Sequence, residues 1–360
     1  MSNNRRILIT GNNGYIGSVM APWLRSQDYD VVGLDTGYFS ACTLVPDLAE
    51  IPTIRKDLRE ISAKDLAGFD AVIHLAALSN DPIGNLNEAW TREINGQGTI
   101  RLAKFAKQSG VSRFIFSSSC IMYGMSAAAV VDETSPLAPR TQYARSKVEA
   151  ERDLFRLADE HFSPTSCRNG TVYGLSPRMR FDTVLNSLTG SAFTTGRVEI
   201  HSDGKPWRPV VHVQDVARAF QAVLEAPRET VHNEAFNVGA SELNHQIGDL
   251  AQIVVDTIPG CRLVMTPQPG ADQRTYQADF AKFKRTFPAF DFLWTVRSGA
   301  DELCTAFQRI GLRHADFTDK RFTRLSWLRH LLDSRCVDGS LRWTEVVADS
   351  HRNHDLALTG

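Results

Sequence analysis

Short β-branched and aliphatic runs alternate with longer stretches of helical periodicity along the first 175 residues. The runs Arg6 to Thr10, Val31 to Asp35, Thr53 to Arg55, Ala71 to Leu75, Phe114 to Ser118 and Thr165 to Arg168 read as six strands. Between them, Tyr15 to Ser26, Asn87 to Ser109 and Gln142 to His161 place apolar residues at helical spacing, as at Ile100, Ala103, Phe105 and Ala106. This alternation predicts an α/β protein whose doubly wound parallel sheet is covered by helices on both faces. The regularity loosens at Leu175-Ser176-Pro177-Arg178, and elements follow in mixed order to about Gly311. Val210 to Val213 and Phe236 to Val238 still read as buried strands, so the chain is expected to return to the first sheet. The expected division is a first domain over 1–175, revisited at about 209–240, and a smaller mixed α/β domain from 176–208 and 241–360. The last 45 or so residues, rich in charge, Trp and Leu, are expected to form a helical cap.

The length of 360 residues agrees with more than one packed unit, since single cores stop growing at roughly 250 to 300 residues. A hydrophobic content of 42% excludes a disordered chain. The formal net charge of -1 supplies no broad field for nucleic acid or an anionic membrane, so any bound phosphate must be held locally. No apolar run approaches the ~18 residues of a membrane span. Met1-Ser2-Asn3-Asn4 leads almost directly into a strand, leaving no room for a signal peptide, so a cytoplasmic protein is expected. The six cysteines show no metal-ligand spacing and read mostly as reduced core thiols.

Directly after the first strand comes Gly11-Asn12-Asn13-Gly14-Tyr15-Ile16-Gly17, which opens a helix. Glycines at these points permit a tight turn, close backbone approach to a pyrophosphate and close packing of helix on strand, while the helix N–H groups face the phosphate. Asp35 ends the second strand 24 residues after Gly11, where its carboxylate can accept hydrogen bonds from ribose hydroxyls. Thr36, Gly37 and Tyr38 bring no cation to offset a 2'-phosphate. The pattern predicts a Rossmann-type fold binding NAD in preference to NADP.

Tyr143 and Lys147 lie four residues apart in a helical stretch and share a face. An ammonium near the phenol favours the phenolate, and a shift of ~3 pKa units corresponds to ~4 kcal/mol. Tyr143 is then a usable proton acceptor for a sugar hydroxyl. Ser117-Ser118-Ser119-Cys120 ends the fifth strand, at the carboxyl end of the sheet where such folds bind ligands. Ser119 is the favoured hydroxyl for polarising a developing carbonyl; Ser117 reads as a loop start.

With GNNGYIG, Asp35, HLAALS at 74–79, SSSCIMYG at 117–124 and YARSK at 143–147 in this order, the chain resembles an extended short-chain dehydrogenase/reductase. More narrowly, it resembles the NAD-dependent epimerase/dehydratase branch acting on nucleotide sugars. RNGTVYG at 168–174, WRPVVHVQDVARA at 207–219, FNVG at 236–239 and ADQRTYQAD at 271–279 extend the likeness over about 300 residues. The resemblance implies a catalytic group of Ser119, Tyr143 and Lys147. It also implies a cofactor site that adds Asp57, Leu58, Ala76, Ala77, Asn95 and Ser117 to the glycine turn, and makes the smaller domain substrate-binding. Arg208 and Arg274 match the family's basic positions facing a nucleotide-sugar diphosphate, which guanidinium forks suit. Ser79 and Asp81 belong to a loop that can face the sugar, although Asp81 before Pro82 equally suits an Asx turn.

Two departures matter. Thr171 replaces the family's usual Asn, a substrate contact. Members that eliminate water carry an Asp-Glu pair where this chain has Cys120 and Ile121, which counts against 4,6-dehydration. Cys120 has two readings, a proton-transferring thiol for epimerisation at C3 or C5, or a buried cysteine. The expectation is a nucleotide-sugar 4-epimerase working through a transient 4-keto sugar and needing no metal. A 4-ketoreductase or oxidoreductase, a C3/C5 epimerase and a catalytically idle NAD-binding regulator are the alternatives. The resemblance further implies a homodimer through the 87–109 and 142–161 helices. The nucleotide and the sugar are not encoded in any spacing.

Overall fold

A computed structural model describes residues 5–45, 48–79, 81–124, 130–266 and 274–344. Asn80, residues 271–273 of the last matching motif and the end of the expected cap lie outside the described residues. The main sheet contains β1 (Arg6–Thr10), β2 (Asp30–Asp35), β3 (Thr53–Arg55), β4 (Ala71–His74), β5 (Arg113–Ser119), β7 (Ser163–Asn169) and β11 (Glu234–Val238). Their order is β11-β7-β5-β4-β1-β2-β3, with every pairing parallel. The expected α/β Rossmann-type sheet is therefore present, with β11 as its seventh strand.

Alternation along the strands sorts side chains between two cores. Ile7, Ile9, Ala71, Ile73 and Ile115 pack with Met20, Ala21 and Leu24 of the Gly17–Ser26 helix and Phe220 of the Val213–Glu225 helix. Leu8, Val72, Phe114 and Phe116 face the other way, onto Leu102, Ala103 and Ala106 of the Thr99–Gln108 helix and Leu154 of the Gln142–Phe155 helix. Each fully buried side chain of this size contributes about 1.5 to 3 kcal/mol. Because β1 lies between β2 and β4, the winding reverses there, and the crevice at the carboxyl ends of β1 and β4 is where a ligand of this architecture sits.

Of the two strands expected to return, Phe236 to Val238 does so within β11. Val210 to Val213 does not. Val210 to His212 fall in β10 (Trp207–His212), which pairs parallel with β8 (Thr171–Tyr173) and antiparallel with β12 (Asn244–Gln246), and Val213 opens the next helix. Gly170, between β7 and β8, lets the chain leave one sheet for the other: a Cβ there would lie 3.2 Å from the Pro209 carbonyl oxygen. Two small parallel pairs complete the strands, β6 (Val130–Val131) with β14 (Gln277–Ala278) and β9 (Arg197–Ile200) with β13 (Arg262–Met265).

The single helix expected at 87–109 is three segments, Glu88–Thr91 and Thr99–Gln108 in α form flanking the wider π turn Arg92–Gly98. The π turn carries Asn95, whose amide bonds both the N–H and the carbonyl of Leu78, at 2.8 and 3.1 Å. The Arg324–Asp333 helix, assigned by sequence to the second unit, buries Trp327, Leu328 and Leu331 against Tyr38, Leu78, Trp90 and Ile94 of the first. All six cysteines are free; Cys42, Cys120 and Cys167 are buried and the others are partly exposed. No helix among the described residues is long and apolar enough to cross a membrane.

Candidate active site

The glycine turn has the close geometry its spacing predicts. Gly11 adopts φ 76°, and a Cβ on it would lie 2.8 Å from the Ala76 nitrogen. A Cβ on Gly17 would lie 2.2 Å from the Gly11 carbonyl oxygen. Gly14 closes the turn with its N–H on that carbonyl at 3.0 Å. Among the described residues nothing accepts the N–H groups of Tyr15 or Ile16, which precede the helix and are the donors a bound phosphate would use. The turn opens on a cavity of about 610 Å³ that Asp35, Asp57, Leu58, Ala76 and Ala77 also line. The Asp35 carboxylate takes the N–H of Asn13 at 3.1 Å and of Gly37 at 2.7 Å, one on each oxygen, leaving lone pairs for hydroxyls. Burial holds the Asp35 carboxyl above its ordinary pKa. These groups fit a dinucleotide. The fold also brings a cation that the local sequence around Asp35 lacks: a Cβ on Gly37 would lie 2.9 Å from an Arg55 guanidinium nitrogen.

Ser117, Ser119, Tyr143 and Lys147 line the same cavity. β5 carries the serines to the carboxyl edge of the sheet, and the Gln142–Phe155 helix, capped by Thr141, brings the other two across from it. Lys147 is 4% exposed, and its ammonium donates to the Ser117 carbonyl at 2.7 Å. It sits 4.6 Å from the Phe116 ring centroid and 5.8 Å from that of Tyr143. Ser117 Oγ is engaged by the Asn169 amide at 3.0 Å, whereas Ser119 Oγ accepts the Ile121 N–H at 3.3 Å and keeps its own proton available to the cavity. The Tyr143 hydroxyl has no protein partner among the described residues.

The expected acidification of Tyr143 is corrected by its surroundings. Burial raises its pKa, Asp81 adds to the rise, and Arg180 opposes it. Burial also pulls Lys147 down to about 7, against the pull of Glu151. In the protein alone the phenol therefore stays neutral, because desolvation and the Asp81 carboxylate outweigh the opposing pull of Arg180.

Two expected site residues sit elsewhere. Cys120 is fully buried beside Tyr123 and Tyr276, its thiol donates to the Arg168 carbonyl at 3.1 Å, and burial pushes its pKa up. A thiol so placed has no route to a sugar in the cavity. Asn95 is one layer behind the wall, where it fixes the Leu78 loop and bonds no ligand surface.

Ser79, Asp81, Thr171, Arg208 and Arg274 all line the cavity. Arg274 is paired with Asp81, which also accepts the Thr141 hydroxyl at 2.5 Å, so this part of the cavity wall is tied to the start of the Tyr143 helix. Arg208 donates to the carbonyls of Trp207, at 2.8 Å, and Arg274. Sequence reading missed Arg180 and Arg324. Arg180 bonds Ser79 Oγ at 3.1 Å, pairs with Asp182 at 2.8 Å and faces Tyr143 electrostatically. The alternating cations of Pro177-Arg178-Met179-Arg180, just past a strand end, were the available signal.

The family model for the NAD dependent epimerase/dehydratase family matches residues 7–239. The chain belongs to this family. It is accordingly an NAD-dependent enzyme, and the turn, Asp35 and the Tyr143–Lys147 pair lie within the matched region. UDP-glucose 4-epimerase 4 of Oryza sativa subsp. japonica is 27% identical over 334 residues, covering 84% of this chain and 88% of that protein. dTDP-glucose 4,6-dehydratase of Streptomyces niveus is 29% identical over 298 residues, covering 78% and 86%. Among solved structures, MoeE5 in complex with UDP-glucuronic acid and NAD has a TM-score of 0.73 at 27% identity, covering 84% of this chain and 99% of that one.

Proposed function

We propose that this family member is a nucleotide-sugar 4-epimerase. The carrying observation is the Tyr143 phenol, unpartnered in a cavity wall that also holds Ser119, Lys147 and the glycine turn. Tyr143 takes the proton of the sugar 4-hydroxyl, Ser119 donates to the oxygen of the transient 4-keto sugar, and Lys147 holds the cofactor ribose from its place on the Ser117 carbonyl. NAD, when bound against the glycine turn and Asp35, would supply an acceptor for the C4 hydrogen with its electron pair and could return both. Arg208 and Arg274 belong to the diphosphate side of the substrate. Relatives that act on UDP- and dTDP-sugars support the substrate class. Against dehydration, the cavity presents the apolar Ile121 where an acid or base would be needed.

The test incubates purified protein with UDP-glucose, UDP-glucuronic acid and dTDP-glucose, following C4 by proton NMR and NADH by absorbance. The expected result is the C4 epimer without net NADH, abolished in Tyr143→Phe protein that still carries NAD. Stoichiometric NADH, a 4-keto-6-deoxy product or an active Tyr143→Phe variant overturns the reading. A cytoplasmic homodimer through the 87–109 and 142–161 helices belongs to the same proposal. Those helices expose Lys104, Arg145, Glu149 and Arg152, so such a contact is polar, and sedimentation over a range of concentrations checks it.

A further inference from the structure

The stretch from Arg324 to Thr344 lies beyond the matched family region and reaches the wall of the cofactor cavity through Arg324. Its helix shares a core with Tyr38, Leu78, Trp90 and Ile94, and the chain that follows runs along the loops at the adenosine end. The Trp343 indole donates to the Thr36 carbonyl and the Trp327 indole to the Tyr38 carbonyl, both at 2.7 Å. The Tyr38 hydroxyl in turn donates to the Leu341 carbonyl. Arg59 donates to the carbonyls of Ser340, at 2.6 Å, and Leu341, at 3.0 Å, while gripping Asp57 with bonds of 2.7 and 2.9 Å. Thr36, Tyr38 and Asp57 all line the cavity, so this segment fixes three parts of its wall.

Arg324 lines the cavity itself, although it is 2% exposed. Its guanidinium lies 4.6 Å from the Phe39 ring centroid and donates to the carbonyls of Arg178 at 2.8 Å and Met179 at 3.4 Å. Among the described residues no carboxylate pairs with that guanidinium. Asp182, the nearest acid, takes the Arg324 backbone N–H at 3.1 Å and gives its other oxygen to Arg180. Its hydrogen bonds go to carbonyls, Asp182 offsets part of the charge electrostatically, and burial together with Arg180 still brings its pKa to about 10, so the buried cation is costly. An anion in the cavity offsets that cost. Arg324 shares the lining of this cavity with Gly11, Gly14, Ile16 and Gly17 of the glycine turn, whose helix-opening N–H groups are the phosphate donors.

We infer that this C-terminal segment is a working part of the dinucleotide site: Arg324 supplies a cation to the cofactor diphosphate, and the Ser340 to Trp343 strap holds the adenosine end closed. The inference does not depend on which sugar reaction the enzyme performs. Cofactor release then requires the strap to loosen, and the diphosphate contributes more to binding than the turn alone provides.

The test uses cofactor-stripped full-length protein, with ADP-ribose and adenosine as calorimetric probes. Arg324→Gln is expected to weaken ADP-ribose by about tenfold or more and to leave adenosine within about twofold. Trp343→Ala is expected to speed NAD release after dilution by about tenfold. In wild-type protein, amide exchange across 324–344 should slow on adding ADP-ribose, a readout that survives misfolding of either variant. Equal losses for both probes, or none, overturn the role of Arg324. An unchanged NAD release rate overturns the strap, and exchange insensitive to ADP-ribose overturns both.

Discussion

Replacing Lys147 with Met separates the cost of burying its charge from its chemistry. Burial takes the ammonium from its ordinary pKa of 10.5 to about 7. In the unfolded chain lysine keeps its proton to about pH 10.4. Between those limits the unfolded chain holds a proton that the folded chain has released, so stability rises with pH through the window and is lost as the pH falls towards 7. The full shift corresponds to about 5 kcal/mol, of which about 2 to 3 kcal/mol is recovered between about pH 6.5 and 9.

Methionine fills the stem's volume and carries no charge, but it leaves the Ser117 carbonyl without its donor, at a cost of about 1 to 3 kcal/mol. The net expectation near neutral pH is a variant more stable than wild type by about 2 kcal/mol, with turnover lost. Urea unfolding of cofactor-free protein, followed by tryptophan fluorescence across that pH range, measures it. The stability of wild type relative to Lys147→Met should climb with pH, since the buried cysteines, whose pKa values burial raises, bend both curves alike. Parallel curves would refute the argument that the buried lysine sets the slope.

Gly17→Ala should abolish NAD retention and destabilise the protein by about 2 kcal/mol or more, because the new Cβ would meet Gly11 backbone oxygen at 2.2 Å; NAD content and a melting curve check it. Cys120→Ala should leave turnover within about twofold and cost about 1 to 2 kcal/mol of stability, whereas a tenfold loss of turnover would mean the thiol takes part. Glu151→Gln, which breaks the 2.5 Å buried pair with Arg168, should cost about 3 to 5 kcal/mol in urea unfolding. Tyr143 should ionise above its ordinary range in cofactor-free protein, seen as a delayed component of phenolate absorbance missing from Tyr143→Phe.

The sheet was legible because each buried parallel strand is a short continuous apolar run, and the six early strands lie within a few residues of where the periodicity puts them. The site's local motifs were legible for a related reason: the glycine turn, Asp35 and Ser119 sit on strand ends, and the sheet carries strand ends to one edge. Cys120 shows the limit of adjacency. One residue past Ser119 the chain enters a short 3-10 turn, and the thiol points into a core while the hydroxyl keeps the cavity. Arg180 and Arg324 were invisible for another reason: 144 positions separate them in the chain, and their shared surroundings exist through folding alone. β10 reads as a buried strand in any sheet, and nothing in its composition says which sheet accepts it.

The largest gap between spacing and structure concerns the direction of a charge effect. Four-residue spacing puts Tyr143 and Lys147 on one face, and from that alone the ammonium should favour the phenolate. The structure buries Lys147 and leaves Tyr143 half-buried in the cavity wall, and desolvation penalises both ions of the activated pair. A neutral phenol beside a lysine with a pKa of about 7 is a poised arrangement and not yet a base. Further positive charge must enter the cavity to make it one. The residues can offer Arg180, which already opposes the rise at Tyr143, while Asp81 works against it. Asp81 is in turn held by Arg274 and Thr141, so the field at the phenol is coupled to groups on the substrate side. On the proposed mechanism, proton removal at Tyr143 thus depends on what fills the cavity, which would tie activation of the phenol to binding and leave the empty enzyme without a strong base.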